Sequence, residues 1–550
     1  TPAPRAGLVE VELPVPDDWP AVALELADGS RVATQELGRK EPILFDEDLR
    51  GDQVDELFRR FHGREVFDHA WNGYRIEGRT ITMEVDNDPD PIWLDVDGLR
   101  SEVISAMRAA PDDMWHVRIV ARSRRTLAAS VEAPALGWTA ARAVDGDGEL
   151  ADRVHLDPAT SVLANGLLSV AVRGDGTFTL EAADGTTVEA IGRIVDGGDY
   201  GDSYNYGPPA SDTLVDEPAS VQVEPGEAGP VRGRLRIRRT YPWPVGVEAD
   251  GSARTAETVP TEVVTDLELR AGEPFVRVEI ALENRSDDHR VRFHAPLPRR
   301  ATSSHAEGQF AVVERGLVGE GGYREEPLAT FPAHGWVDAG GLAVLLEHIG
   351  EYELVDDGRA LALTLLRSTG LISRNDNPYR QDPAGPAIAI PNAQMRGAWR
   401  IRFALYPHAG DWQAGGVAEA AERHRHRLLA TPGMSIAPGT WPPEGAGEPA
   451  LSVRGDAVVL TSLRRREAGW LEMRVVNLAR EPRRAVVEGG LLEARVADLR
   501  GEPGEPLEVV DGRVDLDLGP AEIRTIRARR RETALGRAEV LDAAGPRQSA

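Results

Sequence analysis

Apolar and polar residues alternate with period two almost from end to end of this 550-residue chain. That pattern calls for half-buried β-strands, because an amphipathic helix would space its apolar residues three and four apart. Clear stretches run at 8–13, 81–85, 235–238, 276–283, 399–405, 471–475, 514–518 and 523–527. Asp28-Gly29, Asp175-Gly176, Asp184-Gly185, Asp357-Gly358 and Asp511-Gly512 supply turn residues that tolerate positive φ between strands. Helical spacing is confined to Val54, Leu57, Phe58 and Phe61, to Leu99, Val103 and Met107, and to the stretch 415–429. None of these stripes alternates with parallel strands, so the pattern predicts an all-β, multidomain chain of antiparallel sandwiches with few helices.

A chain this long exceeds a single hydrophobic core. Two polar, Gly- or Pro-rich stretches mark boundaries: DGDGELADR at 145–153 and PGTWPPEGAGEP at 438–449. They predict a β-sandwich with helical insertions at 1–148, a middle domain at 149–435, a C-terminal β-sandwich at 448–531, and a loosely held tail at 532–550. The middle domain is too long for a seven-strand sandwich and suits a large double-sheet supersandwich. From Pro4 the chain enters strand alternation directly, as expected of a chain cut just upstream of a domain.

With 63 basic against 90 acidic residues the formal charge is -27, which would repel phosphate backbones and anionic lipid heads. Nucleic acid and membrane are therefore not expected partners, and no apolar run reaches the length of a membrane span. The absence of cysteine excludes disulfides, thiolate catalysis and Cys-ligated metal. No secretory leader opens the sequence, which gives a cytoplasmic expectation.

Two segments of the middle region carry the chemistry: DGGDYGDSYNYGPP at 196–209 and LLRSTGLISRNDNPYRQDPAGPAIAIPNAQMRGAWRIRFALYPHAGDW at 365–412. They resemble the C-terminal supersandwich of family 38 glycoside hydrolases, the α-mannosidases: the first its DxGDxYNYxPP loop, the second its LLRSxGxLSRxD turn and the strand that follows. FPAHGWVDAGGLAVLLEHIGEYEL at 331–354, FHGREVFDHAWNGYRIEGRTITMEVD at 61–86 and PAEIRTIRAR at 520–529 resemble further stretches of that family, in the same order. Asn375 departs from the pattern, standing where the family more often has an acid. The resemblance implies hydrolysis of terminal α-mannosides with retention, through a zinc held by two histidines and two aspartates, one of them the nucleophile, with a further aspartate as acid/base. Those groups belong to an N-terminal α/β domain and a helical bundle, which this sequence does not contain. The expected partners are thus an α-mannoside and the missing catalytic domain, the zinc ligands lie outside this chain, no catalytic or metal residue is expected within it, and a homo-oligomer is compatible with the resemblance.

The resemblance also implies the site residues. Tyr204 matches a tyrosine that reaches across the domain interface into the sugar pocket, and Asp202 and Tyr206 share its loop; a turn shaped by Gly201, Pro208 and Pro209 explains the same residues without a ligand. Arg367 matches an arginine near the catalytic cleft, although an internal salt bridge at the strand end accounts for it equally. Arg374 and Asp376 follow on the same loop, as sugar ligands or as a structural ion pair. His155-Leu156-Asp157 has a metal-like spacing but is expected in a boundary loop, and His424-Arg425-His426 on a solvated helix face. A free-standing carbohydrate-binding or scaffold module is the alternative, since sandwiches host many functions.

Overall fold

The computed structural model describes residues 1–40, 42–86, 93–319, 321–348, 350–380, 382–431 and 441–530. The tail at 532–550 and the linker positions 438–440 lie outside the described residues. All eight alternating stretches lie within strands. The five Asp-Gly pairs place their glycines at φ between 75° and 87°, a region that costs a side chain with Cβ but not glycine.

The strand Thr258–Arg270 shows why alternation reads as a sheet. Thr261, Val263, Thr265, Leu267 and Leu269 are buried on one face, while Asp266 and Glu268 on the other pair with Arg236 and Arg234 of the neighbouring strand. Each apolar side chain fully withdrawn from water contributes on the order of 1.5–3 kcal/mol, and the polar face keeps the register from slipping by one.

The sheets group in three stretches of chain. In the first, Arg5–Pro14, Arg124–Ala133, Arg31–Lys40, Val22–Leu26 and Ala141–Asp145 form one sheet. A second, six-stranded sheet runs from Ile43–Arg50 through Met114–Ala121, Thr80–Asp86 and His69–Glu77 to the short strands Glu65–Val66 and Phe61–His62. Its inner face packs against the helices Val54–Phe58 and Val96–Arg108, with Trp71, Met83, Val103, Met107, Val117 and Ile119 in one core.

Here the structure corrects the sequence expectation that no helix alternates with parallel strands. Thr80–Asp86 and Met114–Ala121 are parallel neighbours, and the helix Val96–Arg108 lies in the crossover between them. A parallel pair needs a connection of a dozen or more residues to return to the starting edge, and the helical stripe of Leu99, Val103 and Met107 provides it.

The middle stretch holds a five-stranded meander from His155–Asp157 to Thr187–Ile191, a five-stranded sheet and a nine-stranded sheet. The five-stranded sheet has the order Arg193–Gly198, His289–Pro296, Ala360–Arg367, Gly350–Val355, Thr330–Ala333. Its inner residues share one apolar core with the nine-stranded sheet and the meander. Phe293 and Phe403 meet edge to face across that core, 5.0 Å between ring centres. The last stretch packs a three-stranded against a five-stranded sheet around Met473, Val475, Val487, Leu516 and Ile526. The helix Val417–Arg425 is wedged between the nine-stranded sheet, at Ala343 and Leu345, and the last stretch, at Val476 and Leu478.

Two histidine expectations change. His155-Leu156-Asp157 is a strand paired with Val162–Ala164 instead of a loop, and Asp157 accepts the Ala159 N–H at 2.9 Å and the Thr160 hydroxyl at 2.6 Å. His424 is buried, not solvated. Val417, Ala420, Ala421 and His424 form the inner face of a helix covered on both sides, which turns the ring toward Phe275 and places Nδ1 3.1 Å from Arg277 Nη1. Residues two apart do face differently: His426 is exposed. No helix among the described residues is long and apolar enough to cross a membrane.

Candidate functional site

Pairing in the five-stranded sheet brings two loops to one end. Gly198 lies opposite His289, and Arg290 opposite Arg367, so the loop leaving Arg193–Gly198 and the loop leaving Ala360–Arg367 start on either side of the same central strand. Beneath them is a buried polar plug. Asp196 Oδ2 accepts Arg254 Nη2 at 2.6 Å, its Oδ1 lies 2.6 Å from His289 Nδ1, and His289 Nε2 lies 2.9 Å from Asn284 Oδ1. Asp196 and His289 are wholly buried, and the plug fixes the strand ends from which both loops spring.

Asp199, also wholly buried, accepts the Gly201 N–H at 2.8 Å, the Gly207 N–H at 3.2 Å and Arg367 Nε at 2.6 Å. Burial pushes its carboxyl up despite the Arg367 charge. Arg367 Nη2 goes on to the carbonyls of Asp202 at 2.7 Å and Asn205 at 2.8 Å. The internal salt bridge weighed for Arg367 is therefore present, and its fork holds the loop from within.

Asp202 has its carboxylate turned inward as well. Oδ1 accepts the N–H groups of Tyr204 and Asn205, each at 3.0 Å, and Oδ2 accepts the Arg374 N–H at 2.7 Å and Arg380 Nη2 at 2.5 Å. Burial alone would raise this carboxyl, but Arg380 and the three N–H donors outweigh it and hold it below the usual carboxylate range. With every lone-pair direction engaged, Asp202 shapes the turn and leaves nothing for a sugar hydroxyl.

The remaining expected residues lie nearer the surface. Tyr204, at the tip of the turn, is 57% exposed, with the Arg380 guanidinium 5.8 Å from its ring. Tyr206 is half-buried, with Arg290 stacked 3.7 Å over its ring and Tyr379 6.3 Å away; burial pushes its phenol up to about 12. Arg374 stacks 3.6 Å over Tyr200, whose hydroxyl donates to Asp376 at 2.9 Å. Asp376 is exposed and 3.9 Å from Arg374 Nη1. Pro386, Ala387, Ile388 and Ala389 stand exposed on the same loop as Gly385, where a side chain would come within 3.5 Å of the Tyr204 hydroxyl.

Tyr204, Asp202, Tyr206, Arg367, Arg374 and Asp376 are thus gathered in one place, from segments more than 160 residues apart. Sequence reasoning missed Arg380, which grips the turn, and the Asp196–His289–Arg254 plug. A buried Asp202 demands a cation, but nothing in the spacing says that Arg380, and not Arg374, supplies it.

No family model matches the sequence. A protein of Halalkalibacterium halodurans provisionally named a mannosylglycerate hydrolase is 25% identical over 288 residues, 48% of this chain and 30% of its own length. α-Mannosidase 2C1 of Mus musculus is 27% identical over 278 residues, 48% of this chain and 24% of its own. Among solved structures, an α-mannosidase from Enterococcus faecalis V583 superposes with a TM-score of 0.63 over 96% of this chain and 55% of its own, at 17% identity. A second Enterococcus faecalis structure, titled as a protein of glycosyl hydrolase family 38, gives a TM-score of 0.62 over 96% and 56%.

The chain has the fold of the β-rich part of family 38 glycoside hydrolases. The resemblance to that family is thereby matched in sequence over about half of the chain and in fold over 96% of it. The chain spans about half the length of the solved structures and less than a third of the curated relatives it matches.

Proposed function

We propose that this chain is the C-terminal β part of a retaining, zinc-dependent α-mannosidase, and that its tyrosine loop forms a wall of the sugar site in the complete enzyme. The observation that carries the reading is Tyr204: a large aromatic ring exposed at the tip of a turn that two arginines, Arg367 and the buried Arg380, hold from within. An exposed aromatic on a mobile loop would be unremarkable; one held by a network of this density is pre-organised for a ligand. The ring offers an apolar face to a sugar and its hydroxyl a donor and acceptor, while the exposed Asp376 carboxylate can accept paired hydroxyls.

The described residues do not fit a catalytic zinc. Among the described residues no group of three or more His, Asp or Glu side chains is placed to hold a metal ion, and the two buried His–Asp pairs are otherwise engaged. Asp196 and His289 are taken by Arg254 and Asn284, and His408 Nε2 lies 2.9 Å from Asp338 with its Nδ1 toward the Ala409 carbonyl. Retention requires two carboxyl groups about 5–5.5 Å apart across the scissile bond. In this reading the metal and both carboxyl groups come from the remainder of the polypeptide, and this chain binds and orients the sugar.

The test is hydrolysis of an aryl α-mannoside by the chain alone and by the full-length polypeptide that contains it, both with added zinc. Turnover by the full-length protein only is expected. Turnover by the chain alone would place the catalytic groups here and overturn the reading, and tight mannoside binding by the chain alone would favour a free-standing binding module.

A further inference from the structure

We infer that Arg380 is a positioning residue of the sugar site, acting through Asp202 and Asn205 to fix the turn that presents Tyr204; this rests on the sugar-binding role proposed for Tyr204. The turn is held by two arginines in different ways. Arg367 takes its backbone, through the carbonyls of Asp202 and Asn205. Arg380 takes its side chains: Nη1 donates to Asn205 Oδ1 and Nη2 to Asp202 Oδ2. Asp202 in turn accepts the N–H of Tyr204 itself. Since the Tyr204 side chain is mostly in solvent, packing cannot set its direction, and the backbone of the turn must.

Arg380 is itself immobilised. It is 4% exposed, its Nε donates to the Asp382 carbonyl at 2.8 Å, and Nη2 reaches Ser373 Oγ at 3.1 Å and the Arg374 carbonyl at 3.3 Å. Its backbone bridges to Glu325, and the Glu326 N–H donates to the Tyr379 carbonyl at 2.8 Å. The guanidinium therefore ties the tyrosine loop to Ser373, Arg374 and Asp382, while the backbone at Tyr379 and Arg380 joins the segment at 325–326. The planar fork is what matters: a lysine keeps the charge beside Asp202 but cannot address Asp202 and Asn205 together.

The experiment is a double-mutant cycle in the full-length polypeptide, with an aryl α-mannoside as the probe, together with amide hydrogen exchange. Arg380→Lys is expected to lower kcat/KM by about 10- to 100-fold, the scale of a misplaced contact, yet by less than about twofold once Tyr204→Ala is already present. Exchange at the Tyr204 and Asn205 amides should quicken while the strands His289–Pro296 and Ala360–Arg367 stay protected. An equal loss from Arg380→Lys with and without Tyr204 would mean that Arg380 only stabilises the fold, and would overturn the proposal. Normal kinetics for Tyr204→Ala alone would remove the sugar-site reading and this proposal with it. If Arg380→Lys does not fold, Asn205→Ala, which leaves the Asp202–Arg380 ion pair intact, must show the same coupling to Tyr204; an additive effect there overturns the proposal equally.

Discussion

Arg367 and Tyr204 stand on the inner and outer sides of one turn and should respond in opposite ways to truncation. Arg367→Ala leaves the wholly buried Asp199 without its counter-charge and the Asp202 carbonyl without its guanidinium donor, a loss of about 3–5 kcal/mol. Tyr204→Ala removes an exposed ring and should change stability by less than about 0.5 kcal/mol; thermal melts of the two variants check both. Histidine gives a pH test. Burial, then the charges of Arg292, Arg193 and Arg290, lower His294 to about 3, and burial with Arg277 and Arg270 lowers His424 to about 2. An unfolded histidine titrates near 6.5, so below that pH the unfolded state binds more protons and stability falls as the pH drops, by about 1.4 kcal/mol per pH unit for each ring. His408 acts in the opposite sense: Asp338 outweighs its burial and raises it, so its contribution is full below pH ~6.5 and is lost as the pH rises through the raised value. Denaturation of His424→Gln from pH 7 to 5 should show a slope reduced by about one proton against the parent; an unchanged slope would mean that His424 titrates freely.

At the scale of elements, strands were legible in the sequence because a half-buried strand repeats its burial every second residue, as Thr261 to Leu269 do. The crossover helix was legible as a stripe but not as a crossover, since periodicity records which face is buried and not which strands lie on either side. The loops were legible only through their resemblance to family 38, which brought Tyr204, Arg367, Arg374 and Asp376 to one place. It could not distinguish Asp202, turned inward, from Asp376, turned outward, because burial of a loop carboxylate depends on partners 170 or more residues away. If the helix Val96–Arg108 holds the parallel strands from one side, Met107→Ala should open a cavity costing about 2–5 kcal/mol. Hydrogen exchange should then rise across Thr80–Asp86 and Met114–Ala121 and leave the supersandwich core unchanged. A uniform rise across the chain would show that the first stretch does not open as its own unit.

At the scale of the whole molecule, one apolar core joins the meander and the five- and nine-stranded sheets, and the helix Val417–Arg425 ties them to the last sandwich. That rigid body places the tyrosine turn at one end of a sheet whose strand ends are locked by Asp196, His289 and Arg254. Such a construction suits a wall against which a sugar is held while groups elsewhere in the polypeptide do the bond breaking. The most direct measurement of that claim is the steady-state kinetics of aryl α-mannoside hydrolysis by full-length protein carrying Tyr204→Ala, with a thermal melt alongside. A wall residue in contact with sugar predicts a fall in kcat/KM corresponding to about 1–3 kcal/mol of lost transition-state binding at unchanged melting temperature; unaltered kcat/KM would contradict it and leave the sandwich as a support alone.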